Sequence, residues 1–353
     1  MTITFQCEKC QQEYTIGDHT AGQLIQCKQC GSPITVPGQH VHQSTSQLLS
    51  PQVMAGLRSQ RIYEGQGSIL QVLSDITAMR DLDAESEELE RKGRKIAVFS
   101  GVGVALGVIM IVAGMAFVTS PAIFIPGVLI GIGGIIGLIF GIQKKKTHGR
   151  LNLENRRYEV PAKLLGLLRA DAKPGEPMSC HIDFDDHNAK RKLVREGKAG
   201  HWNVKYFISR WLDINGRLAD STKYSLAMLV KHQDRHRTKR SASGKLKHKS
   251  KSKTSQEYIV KLKVKATKYP QLKELLSDVS AKASAAVRLP QEATVKSLEV
   301  SEDGLSLAVT IPRGFTATDS NETKVIQKTV EVVTSMLLSL YQILNLCKAI
   351  DKA

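Results

Sequence analysis

The residues with most chemistry to offer in this chain are its cysteines, four of which form two matched pairs, Cys7-Glu-Lys-Cys10 and Cys27-Lys-Gln-Cys30, with sixteen residues between them. A C-x2-C turn aims two sulfurs at one point, and two such turns brought together by hairpins close a tetrahedron of thiolates. Four thiolates leave no position for water, so the expected ion is structural rather than catalytic. In so small a segment it replaces a hydrophobic core. Zinc, Zn(2+), is the expected ion. Redox-active C-x-x-C is the first rival, weakened because no thioredoxin-like βαβ pattern surrounds either pair, and iron, which also suits tetrahedral sulfur, is the second.

A second group is Cys180-His181-Ile-Asp183-Phe-Asp185-Asp186-His187. Alternation along a strand puts Cys180 and His181 on opposite faces and Asp183 and Asp185 on one, close to a strand end. A further metal or acid–base site is weighed there against an ordinary polar strand and turn; it would need Asp183, His187 or His201 gathered in one pocket. Cys347 is expected in the core. Phosphate-binding, nucleophile-elbow, HExxH and kinase signatures are all missing, which weighs against an enzyme.

The third group is basic. Lys231 to Lys253 holds ten Lys or Arg (Lys231, Arg235, Arg237, Lys239, Arg240, Lys245, Lys247, Lys249, Lys251 and Lys253) against the single acid Asp234, nine of the seventeen excess positive charges in 353 residues. These ten are the candidate anion contacts. The run contains no aromatic ring for base stacking, so a nucleic acid would be held by phosphate alone, whereas anionic lipid would need no special pocket. A solvated, disordered hairpin tip is the plain alternative.

The cysteine segment resembles the finger-like zinc ribbons found at the N-termini of many bacterial proteins, often membrane-bound. The resemblance covers about residues 2 to 37. It rests on Ile3 and Phe5 before the first pair, Ala21-Gly22 before the second, Cys30-Gly31 after it, and Ile34-Thr-Val36-Pro37. It implies a zinc-knuckle fold and no fixed activity. Lys9 and Lys28 face Glu8, Glu13 and Asp18, so phosphate finds little to bind, and a protein contact or a structural cap is expected.

These groups must be positioned by the rest of the chain, whose centre is Ile96 to Ile142, without one Asp, Glu, Lys, Arg or His. Ile96 to Val118 would make a helix of ~34 Å and Ala122 to Ile142 one of ~32 Å, each enough for a hydrocarbon core of ~30 Å. Two spans are predicted, with Thr119, Ser120 and Pro121 between them; a re-entrant hairpin and a buried soluble core are the rivals. Arg91, Lys92, Arg94, Lys95, Lys144, Lys145, Lys146 and Arg150 crowd the outer flanks, which by the positive-inside rule puts both termini in the cytoplasm of an inner membrane. Gly103 and Gly107, Gly127 and Gly131, and Gly133, Gly137 and Gly141 repeat every four residues, predicting close helix packing.

The expected organisation is multi-domain: a zinc ribbon (1–37), a linker (38–67) with a short helix near Leu48 to Leu57, an amphipathic juxtamembrane helix (68–95), a transmembrane α-helical hairpin (96–142) and an α+β cytoplasmic domain with an antiparallel sheet (143–353). Ile69, Val72, Ile76 and Met79 recur at helical spacing, to pack on the chain's own domain or on an oligomer partner. Pro161 is expected to open a helix. Strands are expected at 178–184, 201–212, 222–230, 256–266, 295–300 and 305–311, with turns at Asn215-Gly216 and Asp303-Gly304. A helix from Pro270 to Arg288 and a terminal helix capped by Asp319 and Glu322 complete the domain. The functional expectation is a membrane-anchored, non-catalytic scaffold or regulatory protein-interaction module; the alternative is an anionic-lipid or nucleic-acid binder acting through 231–253.

Overall fold

The computed structural model describes residues 2–7, 10, 12–17, 24–35, 49–117, 121–149, 151–173, 175–241, 243–269, 272, 287–311 and 321–350. The chain divides into two compact units, Met1–Leu48 and Leu49–Ala353.

The first unit is two antiparallel hairpins. Strands β1 (Thr2–Gln6) and β2 (Glu13–Gly17) pair with Phe5 opposite Tyr14, and β3 (Leu24–Gln26) and β4 (Pro33–Thr35) pair with Ile25 opposite Ile34. Strands this short are marginal alone, so something other than apolar burial must hold the turns together.

In the second unit, helix α1 (Pro51–Gln60) starts where Ser50 Oγ accepts from Val53 N and Pro51 takes the first helical position. It ends at Arg61, whose left-handed φ of 56° turns the chain into β5 (Ile62–Gly67). Helix α2 then runs unbroken for 49 residues, Ile69–Phe117, and α3 returns over Pro121–Gly149. Next come α4 (Asn155–Leu168), β6 (Met178–Asp183), β7 (Leu193–Ala199), β8 (Trp202–Arg217), β9 (Lys223–Arg240), β10 (Leu246–Lys263), β11 (Thr294–Ser301), β12 (Gly304–Ile311) and α5 (Glu322–Ile350).

Eight strands form one antiparallel sheet in the order β11-β12-β10-β9-β8-β6-β5, with β7 alongside β8. Alternation assigns the faces. Tyr224, Leu226, Met228 and Val230 of β9 and Tyr258, Val260 and Leu262 of β10 point into the core, while Lys261 and Lys263 stay exposed. The core face is covered by Val72, Ile76 and Met79 of α2, Val160, Leu164 and Leu165 of α4, and Met336, Leu340 and Leu344 of α5, all in one cluster. Each such side chain contributes ~1.5–3 kcal/mol through its removal from water.

Several expectations are corrected. The linker does not run to residue 67. β5 pairs with β6 from Ile62↔Asp183 to Gly67↔Met178, and Tyr63 is fully buried, so 49–82 and the chain after the hairpin build one core. The apolar stripe of α2 packs on that core, the first of its two expected readings. Asn215 and Gly216 are not a turn: they pair with Ser225 and Tyr224, and the chain reverses at 218–222, where Leu218 N donates to Thr222 O and Ser221 takes φ 73°. Pro161 lies inside α4, not at its start. The tip expected as disordered is paired to Arg240↔Leu246. β7 was not anticipated. The second hairpin is as expected, although Ser301 pairs with Gly304 and leaves Glu302-Asp303 as the turn. The helix expected over 270–288 lies, apart from Leu272 and 287–288, outside the described residues, as does Asp319.

α2, α3 and α5 are each long and apolar enough to cross a membrane. α2 and α3 pack along one another through small residues seven apart, Gly93, Ser100 and Gly107 against Gly127, Gly134 and Gly141. A Cβ added at Gly107, Gly134 or Gly141 would lie 2.7 Å from a backbone nitrogen of the facing helix, whereas one at Gly133 would meet nothing within 4 Å. Of the four-residue glycine repeat, Gly127, Gly131, Gly137 and Gly141 lie at this contact and Gly133 does not. α5 lies on the sheet instead, with Thr329 Oγ1 3.3 Å from the Tyr258 hydroxyl and Ser339 bonded to the Arg288 backbone.

Candidate metal centre

Both C-x2-C segments cap a hairpin in the same way. Cys7 N donates to Gln12 O at 2.9 Å and Cys27 N to Ser32 O at 2.8 Å, so each pair of cysteines sits in the bend that its strands close. In the second bend Gly31 N also donates to Cys27 O, and Gly31 takes φ +69°, a backbone that side-chain-bearing residues rarely adopt. Cys30 N approaches Cys27 Sγ at 3.4 Å.

These bends bring all four sulfurs within 4.8 Å of one another, with Cys7 and Cys30 Sγ 3.7 Å apart and Cys10 and Cys27 Sγ 3.5 Å apart. Sulfurs at ~2.3 Å from one tetrahedral ion would be ~3.8 Å from each other, so the spacing suits a shared metal. No disulfide links them. Cys7 and Cys27 are 2% exposed, while Cys10 and Cys30 are partly exposed.

Tyr14 adds a polar contact from β2. Its hydroxyl donates to Cys27 Sγ at 3.1 Å and accepts from Lys28 N at 2.8 Å. That bond is the largest cause pulling the Cys27 thiol down to about 6, and hydrogen bonds from Ser32 lower Cys30 likewise. Cys27 and Cys30 are thus drawn toward thiolate, the form a metal binds, whereas Cys10, against a backbone hydrogen bond from Gln12, is pushed up to about 12 by burial and the neighbouring sulfurs. Comparison with protein-family models, with curated proteins and with solved structures returned no match. The site is therefore read from its own geometry. Four converging sulfurs are positioned to hold an ion, and an ion so held would have no vacancy for a substrate.

The second candidate group does not assemble. Cys180 is buried in the core, its thiol pushed up by burial, while His181 faces Glu64 at 3.5 Å. Asp183 is clamped by Arg191 at 2.6 Å and Lys192 at 3.2 Å, and Arg191 also reaches Asp185 at 3.1 Å. Burial would raise the Asp185 carboxyl, but the Arg191 hydrogen bond and the Lys192 charge hold it below the usual range. Arg157 donates to the carbonyls of Asp183 and Asp185, completing a structural ion-pair network. His201 is exposed at the β7–β8 turn, away from His187. Cys347 is buried and donates to Ile343 O, as expected of a core residue.

One polar line was missed. His232 Nδ1 lies 2.8 Å from Thr254 Oγ1 and Nε2 2.8 Å from Asp234 Oδ1, with the His187 ring 4.2 Å away. The His-x-Asp step on one strand face was its signal in the sequence. The neighbouring backbone amides belong to the sheet ladder, so no oxyanion site accompanies it, and it fastens the root of the β9–β10 hairpin.

The ten basic candidates are sorted by that hairpin. Lys231, Arg235, Arg237 and Lys239 of β9 and Lys247, Lys249, Lys251 and Lys253 of β10 share the face turned away from the core, because the register runs unbroken through Arg235↔Lys251, Arg237↔Lys249 and Lys239↔Lys247. Arg240 points to the other face and Lys245 lies in the turn. Like charges opposite one another are destabilising, so the paired strands hold repulsion that an anionic surface would relieve. The aromatic ring that the segment itself lacks comes from β8: Trp202 lies under Arg237 at 4.5 Å and near Lys251 at 5.9 Å.

Proposed function

We propose that this chain is a membrane-anchored scaffold or regulatory protein-interaction module without catalysis of its own. α2 and α3 cross the bacterial inner membrane as a two-helix hairpin, and both termini lie in the cytoplasm. The N-terminal unit is a zinc ribbon whose Cys7, Cys10, Cys27 and Cys30 hold one Zn(2+), with iron as the chemical competitor. α5 packs on the sheet and adds no third span.

The observation that carries this reading is the continuity of α2. A single helix leaves the buried core at Leu82 and enters the uncharged stretch at Ile96 without a break, so the sheet is held rigidly to the anchor rather than tethered by a flexible linker. A closed thiolate site and an ion-paired Asp183–Asp185 cluster support presentation of surfaces over turnover of a substrate. The basic hairpin supports the second reading, an anion-binding role.

The test is capture from mild detergent with the full chain, across a salt series, in three forms: native, Cys27→Ser with Cys30→Ser, and with Lys247, Lys249 and Lys251 changed to Gln. The scaffold reading expects protein partners that persist at high salt, survive the lysine changes and are lost with the cysteines. Retention of only salt-sensitive nucleic acid, lost with the lysines, would contradict it.

A further inference from the structure

The direction of the basic hairpin relative to α2 can be followed strand by strand. Along β5, Gly67 neighbours Gln71 and Tyr63 bonds to Asp75, while Arg61 reaches Asn152, which bonds to Glu90; β5 therefore runs opposite to α2. β6 pairs antiparallel with β5, β8 with β6 and β9 with β8, so β9 runs the same way as α2. Its tip, Arg240 to Leu246, lies at the end of the sheet from which α2 departs for the uncharged stretch.

The heights agree. His232 packs on His187, beside the Arg157 network, and the next residue, Tyr158, bonds to Asp83 of α2, which places the root of the hairpin near the level of Asp83. From Asp83 to Ile96 α2 climbs ~20 Å. Headgroups begin ~6 Å short of the hydrocarbon, leaving ~14 Å to cover. Eight residues of β9, from His232 to Arg240, extend ~26 Å. Sheet twist of ~20–25° per strand inclines the hairpin and shortens its climb, so the rows nearest the tip come closest to the headgroups. Those rows carry Lys239 opposite Lys247, then Arg240 opposite Leu246, which is 61% exposed and the one large apolar residue of the run.

We propose that the β9–β10 hairpin is a second, peripheral membrane contact, its tip and the adjoining end of its basic face docking on anionic phospholipid headgroups of the leaflet from which α2 and α3 start. The proposal rests on the two-span reading above. Screening confines such attraction to ~8 Å at physiological salt, so basic residues act on a leaflet only if the fold delivers them to it, as this one does. A nucleic acid is the weaker fit, since the same leaflet would repel it and the Trp202 ring is covered by Arg237 and Lys251 instead of open for stacking.

The test uses the full chain carrying Leu246→Trp, an exposed position, reconstituted into vesicles of phosphatidylcholine alone or with a third of the lipid as phosphatidylglycerol, each with and without brominated acyl chains. Native chain, with Trp202 and buried Trp211, supplies the background. The expected result is a blue shift of the added emission and several-fold stronger quenching by brominated lipid in the anionic vesicles, both lost at about 1 M salt, where screening shortens to ~3 Å. Changing Lys239 and Lys247 to Gln should weaken the quenching more than changing Lys231 and Lys253. Emission that ignores lipid charge, in chains that resist alkaline extraction, overturns the proposal and leaves the two-span reading standing. Extraction of the chain by alkali overturns both. A shift produced by an oligonucleotide on neutral vesicles but not by anionic lipid would assign the hairpin to nucleic acid and also overturn the proposal.

Discussion

Asp83 of α2 accepts a hydrogen bond from the Tyr158 hydroxyl of α4 at 2.9 Å, and its other carboxylate oxygen takes the Leu153 amide at 2.6 Å. The chain entering the uncharged hairpin is thereby fastened to the chain leaving it. Burial is the largest influence on this carboxyl and pushes it up to about 6, against the lowering effect of those two donors.

Asp83→Ala should therefore cost about 1–3 kcal/mol, since it leaves the Leu153 amide without an acceptor, while the Tyr158 hydroxyl keeps Asn155 Oδ1 at 2.7 Å. The readout is the unfolding midpoint in detergent. The sign of the pH effect follows from the raised carboxyl: its contribution is greatest below about pH 4, where it is protonated in both states, and is lost as pH rises through about 6. Asp83→Asn should flatten stability between those values. An unchanged pH profile would remove Asp83 from the account.

The seam between α2 and α3 should tolerate side chains very unequally. Gly134→Val places a Cβ against Val104 N and should cost ~1–3 kcal/mol or separate the helices, while Gly133→Val, one residue away, meets open space and should change little. Thermal aggregation of the two variants in detergent compares them directly. Equal effects would contradict the seven-residue seam.

Removing metal should unfold the N-terminal unit and leave the second unit intact, because the short hairpins have the ion in place of a core. Amide exchange with and without a strong chelator would read this, and metal analysis should find one ion per chain, abolished by Cys27→Ser with Cys30→Ser. Tyr14→Phe, which deletes the donor to Cys27 Sγ, should weaken metal retention about tenfold without changing its stoichiometry.

What was legible in the sequence was what local chemistry dictates. The C-x2-C spacing requires a bend that presents two sulfurs, and a run free of charge from Ile96 to Ile142 is written in composition alone. The errors lie where pairing over long separations decided the outcome. Ile62 to Gly67 looks like a linker because its partner strand begins 111 residues later, and only β6 gives Tyr63 a core to enter. Asn215-Gly216 is a strong turn signal by itself, yet β9 continues the ladder through it to Arg217 and β6 pairs with Asn215 from the other side. The Lys247, Lys249, Lys251 and Lys253 alternation was a strand period hidden by its charge, since composition suggests solvation while spacing of two suggests a face.

The central claim is that lipid surrounds the uncharged stretches of α2 and α3 while the chain before and after them shares one aqueous side. Single cysteines introduced at Ser120 and at Ser301, in a chain whose Cys180 and Cys347 are changed to Ala and whose ribbon is metal-loaded, should label oppositely with a membrane-impermeant maleimide on intact cells stripped of outer membrane. The account predicts labelling at position 120 at once and at position 301 only after the inner membrane is breached; labelling at 301 but not at 120 in intact cells would contradict it.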